Sequence, residues 1–213
     1  MCEYADMRTL AVASRKGGAG KTTLALHLAV ASEAAGRAAV VLDLDPQASA
    51  TVWRDMRRAE TPPVTAIPAA RLKHALTTAR EHGAELAIID TPPQAESVIL
   101  DAARASDLVL VPCRPAILDM RAIGATIDIA RLAGKPAVIV VNGAPTRGGL
   151  VTDAMTALKR THGVPVAPVA VGYRAAFFHA LTDGQVAQEF EPKGKAADEI
   201  RQLYTWAWKQ VRK

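Results

Sequence analysis

The sequence predicts an α/β fold, in which a doubly wound, mostly parallel sheet carries helices on both of its faces. Short β-branched runs alternate along the chain with longer helical patterns. Some of these runs, such as 87–89 and 138–141, are continuously apolar, which indicates strands that are buried on both faces. Half of the 213 residues are apolar, yet Trp, Tyr and Phe occur only three times each, and this composition suits a sheet between closely packed helices.

The elements are assigned in chain order from these patterns. The apolar, β-branched runs are predicted strands, at 9–14, 39–43, 64–67, 86–90, 108–112, 137–142 and 166–169. The helical patterns between them are predicted helices, at 22–35, 49–58, 70–82, 95–105, 120–133, 151–162, 175–181 and 196–212. In such a fold, ligands bind where the parallel strands end, at their C-terminal edge.

Composition limits the class of protein. No repeat and no linker rich in Pro, Gly or Ser divides the chain, so we predict a single domain over residues 1–213. Cys2 and Cys113 match no metal or redox spacing, which predicts structural cysteines in a reducing compartment, with Cys113 at a strand end. With neither a membrane span nor a signal segment evident, we expect a cytoplasmic protein. The formal net charge of +5 favours a polyanionic partner without identifying one.

A glycine-rich run, KGGAGKTT at residues 16–23, lies between the first predicted strand and the first predicted helix. This arrangement directs backbone N–H groups and the positive end of the helix dipole at a phosphate chain. Lys21 would then reach the β- and γ-phosphates, Thr22 would ligate Mg²⁺, and Thr23 would touch the α-phosphate. The standard pattern has a glycine where this chain has Arg15, so the loop is a variant form.

This variant resembles the deviant Walker A motif of the ParA/MinD superfamily of ATPases. Residues 43–47, DLDPQ, resemble the D-x-D-P-Q segment of the ParA group, and Asp90 at the end of an apolar run resembles a Walker B carboxylate. The tail is also similar, with RAAF at 174–177 and EPKGKAADEI at 191–200. The resemblance runs from residue 8 to about residue 203 and is to small ParA-type partition proteins that lack an N-terminal helix-turn-helix.

The resemblance implies a P-loop NTPase that uses ATP and Mg²⁺ and hydrolyses ATP as a nucleotide-sandwich homodimer. Lys16 would cross the dimer interface to the partner's nucleotide, Lys21 would bind its own, and Asp45 would orient the attacking water. Thr22 and Asp90 would hold Mg²⁺, Asp90 through water. The implied nucleotide-binding residues are Lys16, Gly17, Gly18, Ala19, Gly20, Lys21, Thr22 and Thr23.

Three assignments near the loop have open alternatives. Asp45 could instead cap the helix predicted from residue 49. Asp43, which with Gln47 would support the Asp45 loop, could equally hydrogen-bond to the P-loop. Asn142 stands where the family places an asparagine that reads the adenine edge, but it could be a simple turn residue. Residues Pro168 and Val169 are predicted to close over the base.

The family likeness implies three kinds of partner: a second copy of the chain, a ParB-type centromere-binding or adaptor protein, and non-specific DNA on the nucleoid. Basic residues near the C-terminus are the candidates for DNA phosphates, although each could be an ordinary surface charge. They are Arg174, Lys193, Lys195, Arg201, Lys209, Arg212 and Lys213.

Other functions remain open at this stage. MinD-like relatives attach to membranes through a C-terminal helix, and here Tyr204, Trp206 and Trp208 lie beside basic residues. However, Trp206 and Trp208 lie nearly opposite each other on a helical wheel, so we expect this helix to dock on the domain instead. A metabolic P-loop ligase and a nucleotide-binding module without hydrolysis are further alternatives. The sequence does not identify the cargo, which could be a plasmid, a chromosome or a protein assembly.

Overall fold

Six parallel strands form a single sheet in the computed structural model, which describes residues 6–147 and 149–212 and therefore not Cys2 or Lys213. The strand order is β3-β2-β4-β1-β5-β6, and every strand pairing is parallel. The strands are β1 (Arg8–Val12), β2 (Ala39–Asp43), β3 (Val64–Ala66), β4 (Leu86–Asp90), β5 (Leu108–Cys113) and β6 (Ala137–Val141). The predicted α/β P-loop NTPase fold is therefore confirmed.

The helices follow the strands and cover both faces of the sheet. In chain order they are α1 (Lys21–Ala34), α2 (Ser49–Met56), α3 (Leu72–Glu81), α4 (Glu96–Ala105), α5 (Ile117–Ala122), α6 (Gly124–Leu132), α7 (Leu150–His162), α8 (Ala175–Thr182), α9 (Ala187–Phe190) and α10 (Lys195–Val211). A short 3₁₀ turn, Ala69–Arg71, precedes α3. Among these helices, none is long and apolar enough to cross a bilayer.

Two apolar layers sandwich the sheet because successive side chains of a strand point to opposite faces. In β1, Leu10 and Val12 join the layer that includes α1, α2 and α8 to α10. Ala11 joins the layer that includes α3, α4, α6 and α7. Cys113 is a buried free thiol at the end of β5, as predicted, and burial raises its pKa to about 12.

The last helix, α10, docks on the domain as expected. Its residues Ile200, Leu203, Ala207 and Val211 are buried in the first of these layers. Tyr204 is also buried and donates a hydrogen bond to Ser32 of α1 at 3.2 Å. The apolar face of the helix is thus used inside the protein, which removes the main support for a membrane-binding face.

Two element predictions were wrong. Residues 166–169 do not form a strand: only a single bridge joins Val166 to Ile139 of β6, because prolines at 165 and 168 cannot donate to a regular ladder. The helix predicted at 120–133 is two helices, α5 and α6. The ring of His162 bonds to the carbonyl of Met120 at 2.8 Å, so that carbonyl is engaged at the point where the helix breaks.

Candidate functional site

The glycine-rich loop joins β1 to α1 at the C-terminal edge of the sheet, where β2, β4 and β6 also end. Gly18 and Gly20 have φ angles of +70° and +86°, in the left-handed region that favours glycine. A Cβ on Gly20 would lie 2.2 Å from the side-chain nitrogen of Asn142, so no larger residue fits there without movement. The loop therefore follows the sharp turn that a phosphate cradle requires.

Asn142, directly after β6, supports this loop. Its Nδ2 atom donates a hydrogen bond to the carbonyl oxygen of Ala19 at 2.7 Å, and its side chain is nearly buried. The residue is therefore more than a turn former. Its contact with adenine stays a prediction, as do those of Pro168, which is exposed, and Val169, which packs partly against the core.

A cleft of about 400 Å³ opens in front of the loop, a volume typical of small-molecule sites. The loop, Lys21 and Asp45 form its polar part. Its apolar lining includes Val52 and Met56 of α2 and Leu181 of α8.

The bottom of the cleft has the features of a Mg²⁺ site. The Thr22 hydroxyl donates a hydrogen bond to Oδ2 of Asp90 at 2.6 Å, while Oδ1 of Asp90 is buried without a hydrogen-bond partner among the described residues. Burial raises the pKa of Asp90 to about 7 and also lowers that of Lys21. An unpartnered carboxylate oxygen beside a threonine hydroxyl fits an octahedral cation that keeps most of its waters.

Protein side chains alone would not hold such an ion. Within the described part of the chain, no group of three or more His, Cys, Asp or Glu side chains could bind a metal. A cation held by Thr22 and Asp90 would thus depend on phosphate oxygens and water for its remaining ligands. This is the usual way in which Mg²⁺ binds together with a nucleotide.

The two aspartates at the end of β2 and just after it, Asp43 and Asp45, make different contacts. Asp43 is buried and accepts hydrogen bonds from the backbone N–H groups of Asp45, at 2.9 Å, and Ala50, at 3.1 Å. It therefore fixes the loop to the first turn of α2 and does not bond to the P-loop, the alternative considered above. Asp45 is half-buried, lines the cleft, and accepts a hydrogen bond from the N–H of Gln47 at 3.0 Å.

Asp45 is not the cap of α2. Ala48 occupies the N-cap position, with a φ angle of 50°, and no side chain caps this helix. The Asp45 carboxylate therefore serves its own loop at the cleft. Its orientation toward an attacking water stays a prediction.

Lys16 lies outside the lining of the cleft and forms an ion pair with Asp119 of α5. Its side chain is 45% exposed, whereas that of Asp119 is 13% exposed. In a single chain, then, Lys16 is directed to α5. Sequence reasoning missed Asp119, because a lone aspartate in a short helix gives no signal of a partner so distant along the chain.

The residues predicted to contact DNA differ in their surroundings. Arg174 forms a two-pronged ion pair with Glu199 of α10, at 3.0 and 2.5 Å, and is half-buried. It fastens the tail to the domain, and its contact with DNA phosphates stays a prediction. Arg201 pairs with Asp198 on its own helix. Exposed Lys193, Lys195, Lys209 and Arg212 stay predictions.

Comparison with known proteins identifies the family. The model of the CobQ/CobB/MinD/ParA nucleotide-binding domain matches residues 10–187. The chain belongs to this family. Among curated relatives, the maintenance of carboxysome distribution protein A of Halothiobacillus neapolitanus is 30% identical over 92% of this chain and 94% of its own length. The chromosome partitioning protein ParA of Caulobacter vibrioides is 30% identical over 50% of this chain and 55% of its own.

Solved proteins share the fold. The complex of Cyanothece McdA(D38A) with ATP superposes with a TM-score of 0.78 at 17% identity, covering 98% of this chain and 97% of that one. The cobyrinic acid a,c-diamide synthase of Mycobacterium smegmatis, with a bound ATP analogue and magnesium, gives a TM-score of 0.76 at 21% identity, covering 95% and 94%. The expected cofactors, ATP and Mg²⁺, are thus those of solved proteins with this fold.

Proposed function

We propose that this chain is an ATP-hydrolysing positioning protein that forms a homodimer around Mg·ATP, holds DNA without sequence preference while dimeric, and releases it on hydrolysis. The observation that carries the proposal is the placement of two lysines of one loop. Lys21 is 7% exposed and lines its own cleft. Lys16 is much more exposed and lies outside that cleft, where it can serve a nucleotide bound to a second chain.

The proposed hydrolysis follows from the residues at the cleft. Backbone N–H groups of the loop and the Lys21 ammonium would bind the phosphates, while Thr22 and Asp90 would hold Mg²⁺, which offsets phosphate charge. Asp45 would orient water toward the γ-phosphate, and Lys16 of the second chain would stabilise the charge that develops there. Each site would be complete only in the dimer.

The kind of cargo is inferred from what the names of the relatives have in common. One relative is named for carboxysome distribution and another for chromosome partitioning, so both are named for the placement of a large object in the cell. We infer a similar task here, with a plasmid, a chromosome or a protein assembly as cargo and a ParB-type or adaptor protein as the activating partner. The protein would act in the cytoplasm, on the nucleoid.

A salt titration of DNA binding tests this proposal. The protein is incubated with random-sequence duplex DNA, with and without Mg·ATP, and binding is followed by fluorescence anisotropy. We expect binding that requires ATP and weakens steeply with salt, because phosphate contacts release counterions. Lys21→Ala is the control that should lose the ATP effect. Binding that does not respond to ATP would contradict the proposal.

A further inference from the structure

A short stretch after α8, residues 184–189, includes the first three residues of α9 and contacts α1 and α2, two of the helices that border the cleft. We refer to it as the bridging segment. On the α2 side, the ring nitrogen of Trp53 donates a hydrogen bond to the carbonyl of Gln185 at 2.9 Å. Gly184 packs directly on the end of α2, since a Cβ there would lie 2.5 Å from the backbone nitrogen of Arg57. The segment thus holds α2 through backbone contacts that tolerate little displacement.

Arg57, directly after α2, makes the largest number of hydrogen bonds between α2 and the bridging segment. Its guanidinium forms two hydrogen bonds with Glu189, at 2.6 and 2.8 Å, and a third with the carbonyl of Gly184 at 3.1 Å. The side chain is only 6% exposed and stacks over the Trp53 ring at 4.7 Å. Although burial alone would raise the pKa of Glu189, the bonds from Arg57 lower it. A two-pronged pair of this kind fixes orientation as well as distance.

The same segment also holds α1, the helix that begins at the P-loop. The N–H of Ala187 donates to Nε2 of His27 at 3.0 Å, and the side-chain amide of Gln188 donates to the His27 carbonyl at 2.9 Å. Nδ1 of the fully buried His27 donates in turn to the carbonyl of Thr23 at 2.7 Å. Since Nε2 accepts a hydrogen bond, His27 is the Nδ1–H tautomer.

We infer that the bridging segment couples α2 to the P-loop helix, and that Arg57 is a positioning residue that sets the Asp45 loop relative to the bound phosphates. α2 begins two residues after Gln47, so a rotation or shift of α2 moves the Asp45 loop with it. The phosphates would be held at the start of α1, and the bridging segment links α1 to α2. This inference rests on the proposed function of Asp45.

The chemistry explains why such a link matters. A water that attacks the γ-phosphate needs alignment more than it needs strong covalent help from the protein. The P-loop and Asp45 come from separate stretches of the chain, so their relative position depends on what ties α1 to α2. If these contacts were weakened, ATP would still bind, but the attacking water would be poorly aligned with the γ-phosphate.

The test compares Arg57→Met, which keeps the length of the side chain but loses its pairs, with Arg57→Lys, which keeps the charge. Arg131→Met is the matched control, because Arg131 of α6 pairs with Asp128 on its own helix and with the carbonyl of His162 at the end of α7, and none of these residues lines the cleft. We expect Arg57→Met to lower kcat about 10- to 100-fold with little change in the KM for ATP. Arg57→Lys should restore part of the rate, and Arg131→Met should match the wild type.

An unchanged kcat in folded Arg57→Met would overturn the inference, and so would a loss confined to KM. If Arg57→Met does not fold, Glu189→Gln weakens the same pair while keeping an acceptor for the N–H of Val186, and the same two criteria apply.

A second readout does not depend on hydrolysis. Hydrogen exchange of residues 45–56 is measured with and without Mg·ADP in the wild type and in Arg57→Met. Protection by the nucleotide that is lost in the variant supports the coupling, and equal protection in both overturns it. If the wild type binds nucleotide but does not hydrolyse ATP, the proposed function fails while this second measurement still decides the coupling.

Discussion

Replacing Asp90 by asparagine should stabilise the nucleotide-free protein while removing its response to Mg²⁺. Burial raises the pKa of Asp90 from 3.8 to about 7, so the folded protein holds this proton more tightly than the unfolded chain does. The ionised group therefore destabilises the fold: the penalty is absent below about pH 3.8, grows as the pH rises, and is complete above about pH 7.

The size of the effect follows from the same shift. Each pKa unit corresponds to about 1.4 kcal/mol, so a rise from 3.8 to about 7 amounts to about 4 kcal/mol of lost stability for the ionised group. Asparagine removes the charge and keeps an oxygen to accept the hydrogen bond from Thr22. The variant should therefore gain up to about 4 kcal/mol at about pH 8, and less than half of that at about pH 5.

Urea denaturation of both proteins without nucleotide, at the two pH values, measures this difference. A parallel series with Mg·ATP should reverse the order, since ligand that binds only the folded state stabilises the wild type, and the variant would lack the carboxylate that we propose for Mg²⁺. An Asp90→Asn protein that is less stable than the wild type at about pH 8, without nucleotide, would refute the reasoning.

Other variants give predictions of the same kind. Asp119→Asn should release Lys16 from its ion pair, so that ATP-dependent dimers form at a lower protein concentration in analytical ultracentrifugation. An unchanged dissociation constant of the dimer would show that this ion pair does not restrain Lys16. Asn142→Ala removes the hydrogen bond to the Ala19 carbonyl and should weaken nucleotide binding by about 1–2 kcal/mol in calorimetry, whereas equal affinity would show that the loop holds its shape alone. Burial lowers the pKa of His27 from 6.5 to about 4, so protonation of this ring destabilises the folded protein. As the pH falls from about 6.5 to about 4, the free energy of unfolding of the wild type should drop by up to about 3 kcal/mol relative to that of His27→Gln. Unfolding free energies of the two proteins that change in parallel with pH would contradict this prediction.

Much of the fold could be predicted from sequence because local patterns report burial directly. The apolar run of β4 gave its true bounds, 86–90, since a strand buried on both faces leaves an unbroken signature. The run at 166–169 looked similar, but its flanking and internal prolines prevent a ladder, which apolarity alone does not reveal. Backbone donors, as well as hydrophobicity, decide whether an edge segment becomes a strand.

The parts of the site that are formed by contiguous residues could be predicted from the sequence. The parts that depend on contacts between distant residues could not. Residues 16–23 are contiguous, so the sharp turn between β1 and α1 could be predicted from their order, and phosphate binding by this turn stays a prediction. The partner of Lys16 is Asp119, on a different helix, and only folding brings the two together. Arg174 looked like a surface cation from sequence, but Glu199 of α10 neutralises it. A basic residue has a predictable charge, whereas its partner depends on the fold.

The central claim is that Lys16 acts on the nucleotide of a second chain, and a mixing experiment tests it most directly. Lys16→Ala and Asp45→Ala, each of which we expect to be inactive alone, are combined in equal amounts with Mg·ATP. In a mixed dimer, the Lys16→Ala subunit keeps Asp45 and receives Lys16 from its partner, so one site is complete. Random pairing of a two-fold dimer then predicts about a quarter of the wild-type ATPase rate. A mixture as inactive as its components, despite forming mixed dimers, would show that Lys16 acts within its own chain and would contradict the account.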